Sequence, residues 1–269
     1  LNEKDTPAIG VTKTWQVLQR AGKLDTAVRF AILDNGFTEH KDVPQPYLAN
    51  DGVHERYVKL GCPGPDSGCT WHGTFVTNAG MAVPDNKFGT AGPAGPANTT
   101  PILLTIGGSI WSDGKWIRFA TDSLEADVIS ISISADMSGV SGAFRAHGLE
   151  DATRYAQAKG TLVFASAGND GMNVDDETFT GLRESTDVRP CENDGVICVG
   201  GLSPGSRFLD PGSNFGTHHD GTNTVDIYAP FCMPAGGGPT KYPDGTWKLY
   251  ALPNKLNVSC GTSLSAPFT

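Results

Sequence analysis

No apolar run in the 269-residue sequence approaches the roughly 20 residues needed to cross a bilayer, so no membrane-spanning helix is expected. Basic residues are scarce: 20 Lys and Arg against 29 Asp and Glu leave a formal net charge of −9. Nucleic-acid phosphates and anionic membranes attract basic surfaces, so neither is an expected partner. The sequence lacks an internal repeat, and no charge run or proline tract divides it, which argues for one domain over residues 1–269. It also lacks an initial Met or a signal-like segment, and trimming or processing before Leu1 is expected.

Turn-formers, by contrast, are plentiful. The 34 glycines and 18 prolines predict tight turns between short elements, and the 38% hydrophobic content suffices for a sizeable core. Cysteines 62, 69, 191, 198, 232 and 260 form an even set that fits three disulfides in an oxidising compartment. About 15 connectivities are formally possible. Local pairs Cys62–Cys69 and Cys191–Cys198 are expected, which leaves Cys232 for Cys260.

Six short β-rich runs end in glycine or polar punctuation: 28–33, 102–106, 127–134, 161–167, 196–200 and 224–229. Between the third and fourth, Leu149, Ala152, Tyr155 and Ala156 recur at helical spacing over 148–159, with Gly160 as a stop. Weaker helical patterns cover 13–20 and 116–126. Alternation of strand and helix predicts an α/β fold in three layers, a mostly parallel sheet with helices on both faces. In such sheets reactive groups gather beyond the carboxyl ends of the strands.

Four segments carry chemistry there. Asp34 follows the first run and precedes Asn35-Gly36, a sharp exit that leaves a carboxylate at the sheet edge, although Asp-Asn-Gly is also ordinary turn chemistry. His72 opens His-Gly-Thr-Phe-Val, and the small residues of Asn78-Ala79-Gly80 suit a helix packed tightly on a sheet. Asn169 ends Ala-Ser-Ala-Gly-Asn after an apolar strand. There a rigid side-chain amide can donate to a forming oxyanion, an effect worth about 3 to 4 kcal/mol of barrier. Ser263 lies in Gly-Thr-Ser-Leu-Ser-Ala-Pro, where Gly261 keeps the approach open and a helix start directs its N–H at the same oxyanion.

Asp, His and Ser in this chain order, with the Asn segment between, resemble the subtilisin-like serine protease family from about Asp5 to the last residue. The resemblance implies a subtilisin-like catalytic domain that hydrolyses peptide bonds through an acyl-enzyme. Asp34, His72 and Ser263 would form the triad, and Asn169 would sit in the oxyanion site. It further implies that Ser132, Ile133, Ser134, Ala167 and Gly168 bind an extended protein or peptide substrate. A prosegment in the precursor, secretion or another extracytoplasmic location, and action as a monomer are also implied. Departures are Asn35, where the family more often has Ser, Thr or Asp, and Ser134 and Ala135 in place of smaller residues, which leaves the P1 preference open. A family member continues well past its nucleophile, so further elements are expected beyond Thr269.

The intact four segments oppose a degenerate, merely peptide-binding relative, and the serine segment is not the Gly-x-Ser-x-Gly elbow of an α/β-hydrolase. The chemistry needs no cofactor. Asp42, Asp85 and Asn86 resemble positions where family members bind structural calcium, although capping and turn roles explain the same residues. Zinc at Cys62, Cys69 and His72, or at His218 and His219, lacks the usual ligand spacing. Asn98 and Asn257 begin glycosylation-type tripeptides, meaningful only in a eukaryotic secretory route.

Overall fold

The structure is a computed structural model that describes residues 10–37, 40–44, 72–106, 113–136, 140–175, 188–216, 224–235, 240–241, 247–248 and 257–269. In chain order its elements are α1 (Val11–Arg20), β1 (Val28–Asp34), α2 (His72–Met81), β2 (Thr99–Thr105), α3 (Asp113–Asp122), β3 (Val128–Ile131) and β4 (Ala135–Asp136). They continue as α4 (Val140–Ala158), β5 (Leu162–Ser166), β6 (Val188–Arg189), β7 (Val196–Leu202) and β8 (Ile227–Pro230). The last are β9 (Cys232–Ala235), β10 (Thr240–Lys241), β11 (Trp247–Lys248), β12 (Asn257–Cys260) and α5 (Thr262–Phe268).

Six strands form one sheet in the order β2-β1-β3-β5-β7-β8, and every neighbouring pair is parallel. Parallel strands are covered on both faces, which is why their sequences read as nearly unbroken apolar runs. In β1, Ala31 and Leu33 point to one face. There they join Ile129, Ile131 and Val163 beneath Trp116, Ile117 and Ala120 of α3 and Leu149, Ala152 and Ala156 of α4. Phe30 and Ile32 point to the other face and pack with Val76 and Met81 of α2. Ala266 of α5 packs with Val199 of β7 and Ala229 of β8. This is the predicted α/β architecture.

Several boundaries differ from the sequence pattern: β2 covers Thr99–Thr105 rather than 102–106, α3 Asp113–Asp122 rather than 116–126, and β8 Ile227–Pro230 rather than 224–229. The helix expected to begin at Gly148 begins at Val140. Gly148 is not a start but a point of close approach, because a Cβ on Gly114 of α3 would stand 2.9 Å from its carbonyl. The third strand ends at Ile131 rather than at Ser134. Beyond it, Ser132 exchanges ladder pairing for contacts with α5: its Oγ donates to the Ser263 carbonyl at 2.7 Å. Disulfides join Cys191 to Cys198 and Cys232 to Cys260, as expected. The expected Cys62–Cys69 pair lies outside the described residues.

Helices α2 and α5 meet where both carry small residues. A Cβ on Gly80 would lie 2.6 Å from the Pro267 carbonyl oxygen and 3.2 Å from the Pro267 Cβ. Backbone cannot yield as a flexible side chain can, so Gly80→Ala must push the helices apart. The expected cost is about 1–3 kcal/mol in denaturant unfolding. An unchanged unfolding midpoint would show that the contact is looser than the structure has it.

Candidate active site

Asp34 is the last residue of β1, and the chain leaves the sheet immediately after it through Gly36, whose φ of 78° favours glycine. His72 is the first residue of α2. Its neighbour Gly73 lets the helix start against the turn after β1, because a Cβ there would meet the Phe37 ring at 2.5 Å and the Gly36 carbonyl at 2.9 Å. The result brings imidazole and carboxylate together: His72 Nδ1 lies 2.7 Å from Asp34 Oδ1. A carboxylate oxygen accepts, so Nδ1 donates and Nε2 is left as the acceptor.

The Asp34 side chain is fully buried, whereas that of His72 is 37% exposed. Asp34 Oδ1 also accepts the Asn35 N–H at 2.6 Å. Its Oδ2 has no hydrogen-bond partner among the described residues. Burial opposes protonation of His72, but the hydrogen bond and negative charge of Asp34 outweigh it, and the ring's pKa rises above its ordinary value.

Ser263 is the second residue of α5. The preceding Gly261 has φ 151°, and a Cβ there would stand 3.5 Å from the Asn169 amide. Ser263 Oγ donates to the Ser132 carbonyl at 3.1 Å. Among the described residues no hydrogen bond joins that hydroxyl to His72. Asn169 Oδ1 accepts the Thr262 N–H at 2.8 Å and the Thr262 hydroxyl at 3.1 Å. These bonds set the amide's orientation and leave its Nδ2 as a donor without a hydrogen-bond partner among the described residues.

The expected substrate-binding residues divide into two groups. Ser134 is exposed and Ile133 half-buried, while Ser132 is buried beside Ser263. The Gly168 N–H donates to Thr262 Oγ1 at 3.1 Å, and the Ala167 carbonyl accepts from Asn214 Nδ2 at 2.9 Å. Those main-chain groups of Ala167 and Gly168 therefore act within the protein. The roles of Thr262 and Asn214 have no signature in the sequence, since each depends on a partner some 40 to 95 residues away.

Asp42 and Asn86 come together, but as a hydrogen-bonded pair. Asn86 Nδ2 donates to Asp42 Oδ1 at 2.7 Å, and the Thr90 N–H donates to Oδ2 at 2.7 Å. Asn86 Oδ1 faces the Phe88 N–H instead, at 2.8 Å. Each carboxylate oxygen of Asp42 accepts an N–H, and Asn86 turns its Nδ2 rather than its Oδ1 toward Asp42, so a calcium ion here would need Asn86 to present its oxygen instead. Among the described residues no cluster of three or more His, Cys, Asp or Glu could hold a metal.

Comparison with known proteins agrees with the fold. Residues 25–269 match the model of the subtilase family. The chain belongs to that family. It is similar to an extracellular protease of Xanthomonas campestris, 27% identical over 177 residues that make up 54% of this chain and 30% of that protein. It is also similar to thermitase of Thermoactinomyces vulgaris, 28% identical over 270 residues, 96% of this chain and 76% of that one. The chain thus spans about a third of the first relative's length. Among solved structures, MycP1 with its N-terminal propeptide removed shares the fold at a TM-score of 0.63 and 24% identity, covering 96% of this chain and 81% of MycP1.

The raised pKa of His72 depends on Asp34, which gives a direct check. In an NMR titration of the ring, Asp34→Asn should bring the His72 pKa down to its ordinary value of 6.5 or below, because burial then acts unopposed. An unchanged titration would mean that the carboxylate does not control the imidazole.

Proposed function

We propose that residues 1–269 form one catalytic unit, a serine endopeptidase that cleaves extended segments of protein through an acyl-enzyme. The observation that carries this reading is the 2.7 Å contact between the buried Asp34 carboxylate and His72 Nδ1, which leaves Nε2 free to take a proton. As Ser263 Oγ attacks a peptide carbonyl, the new O–C bond forms and the hydroxyl proton passes to His72 Nε2. The hydroxyl must first exchange the Ser132 carbonyl for the imidazole. Asn169 Nδ2 and the Ser263 N–H receive the negative charge that moves onto the carbonyl oxygen.

Collapse of the tetrahedral species breaks the C–N bond, and His72 returns the proton to the leaving amine. A water then repeats the sequence on the acyl-enzyme, with His72 as base and Ser263 as the leaving group. Residues 132–134, beyond the end of β3, join no strand ladder among the described residues, which suits main-chain pairing with an extended substrate. The two disulfides and an extracellular relative support secretion. A precursor with a prosegment and a monomeric enzyme complete the reading. No step needs a metal, and a structural calcium at Asp42, Asp85 and Asn86 would require that loop to turn its oxygens inward.

The test is incubation with a fluorophosphonate followed by mapping of the labelled residue. Label on Ser263, abolished in His72→Ala, is the expected result. Turnover by a protein labelled on a different serine would refute the assignment. The pH profile adds a second readout: kcat/KM should fall with acidity around a pKa above 6.5, because His72 must be neutral to act as base.

A further inference from the structure

Asn214 is fully buried in a loop far from the reacting groups in sequence, yet most of its hydrogen bonds go to the turn that carries Asn169. Its Nδ2 donates to the Ala167 carbonyl at 2.9 Å. Its Oδ1 accepts the Asp170 N–H at 2.9 Å and the Met172 N–H at 3.1 Å. Its own N–H donates to the Gly168 carbonyl at 3.0 Å. One residue therefore grips the main chain on both sides of position 169. Gly168, at φ 99°, allows the approach, because a Cβ there would stand 2.4 Å from Asn214 Nδ2.

Asn214 is itself held from the sheet. Ser213 Oγ accepts the Gly201 N–H of β7 at 2.8 Å and donates to the Asn214 carbonyl at 2.8 Å. A continuous path runs from β7 through Ser213 and Asn214 to the 167–172 turn, and from Asn169 Oδ1 to Thr262 beside Ser263. A surface turn with Gly at 168 and 171 would otherwise have many conformations available, and the Asn169 amide would move with it.

We infer that Asn214 is a positioning residue for the oxyanion donor: it clamps the turn so that Asn169 Nδ2 is already aimed when charge develops. The inference rests on the proposed reaction, and it says that Asn214 matters to turnover only through Asn169. Preorganised donors act on the transition state more than on the bound substrate, so the effect belongs in kcat rather than KM.

The test is a double-mutant cycle on the protein carrying this chain, with active sites counted by fluorophosphonate labelling so that misfolded molecules drop out. Per labelled site, Asn214→Ala should lower kcat by at least about tenfold with KM changed less than about twofold. In an Asn169→Ala background the same substitution should change kcat by less than about twofold. Asn214→Asp, which keeps the shape and the acceptor but sets an oxygen against the Ala167 carbonyl, should show the same coupling and serves if Asn214→Ala does not fold. An equal loss in both backgrounds, or no loss in either, overturns the inference while leaving the proposed reaction intact. Failure of Ser263 in the unsubstituted protein to label overturns the reaction and the inference together.

Discussion

A carboxylate with no access to water constrains everything around the site. Removing such a charge from solvent costs several kcal/mol unless it is paired and hydrogen-bonded. Asp34 meets this condition unevenly, with both of its hydrogen bonds on Oδ1 and none among the described residues on Oδ2. The imidazole of His72 is its main compensation, and the pairing is favourable enough to overcome the burial of the ring itself. Helix α2 must therefore begin at the carboxyl end of β1, and the glycines at 36 and 73 make that junction sterically possible.

From that fixed point the rest of the site follows by packing. The close contact of α2 with α5, through Gly80 and Pro267, brings the serine-bearing helix to the same edge of the sheet. Thr262 then links α5 to the turn after β5 through Asn169 and Gly168. Ser132, just past β3, holds both the carbonyl and the hydroxyl of Ser263. Several parallel strands thus contribute their carboxyl ends to one place, as the parallel sheet topology dictates.

The layers and the order of the main strands are legible in the sequence because doubly covered parallel strands appear as bounded apolar runs. The candidate site residues are legible because each sits in a contiguous segment with its own glycines: Gly36 after Asp34, Gly73 after His72, Gly168 before Asn169 and Gly261 before Ser263. Features that depend on distant partners are not. Just beyond β3 the Ser132 hydroxyl meets a carbonyl 131 residues away, and α3 approaches α4 through Gly114, whose packing role no local pattern shows. Asn214 reads as a loop asparagine until the turn it grips is brought beside it. The N–H donors around Asp42 are likewise invisible in a loop that is merely rich in oxygen.

The most direct measurement is a crystal structure of the chain after reaction with a peptidyl phosphonate. The expected result is phosphorus bonded to Ser263 Oγ, His72 Nε2 within hydrogen-bond reach of that oxygen, and the phosphoryl oxygen about 3 Å from both Asn169 Nδ2 and the Ser263 N–H. A reagent bonded to another residue, or a phosphoryl oxygen turned away from Asn169 with the His72 ring withdrawn from Ser263, would contradict it.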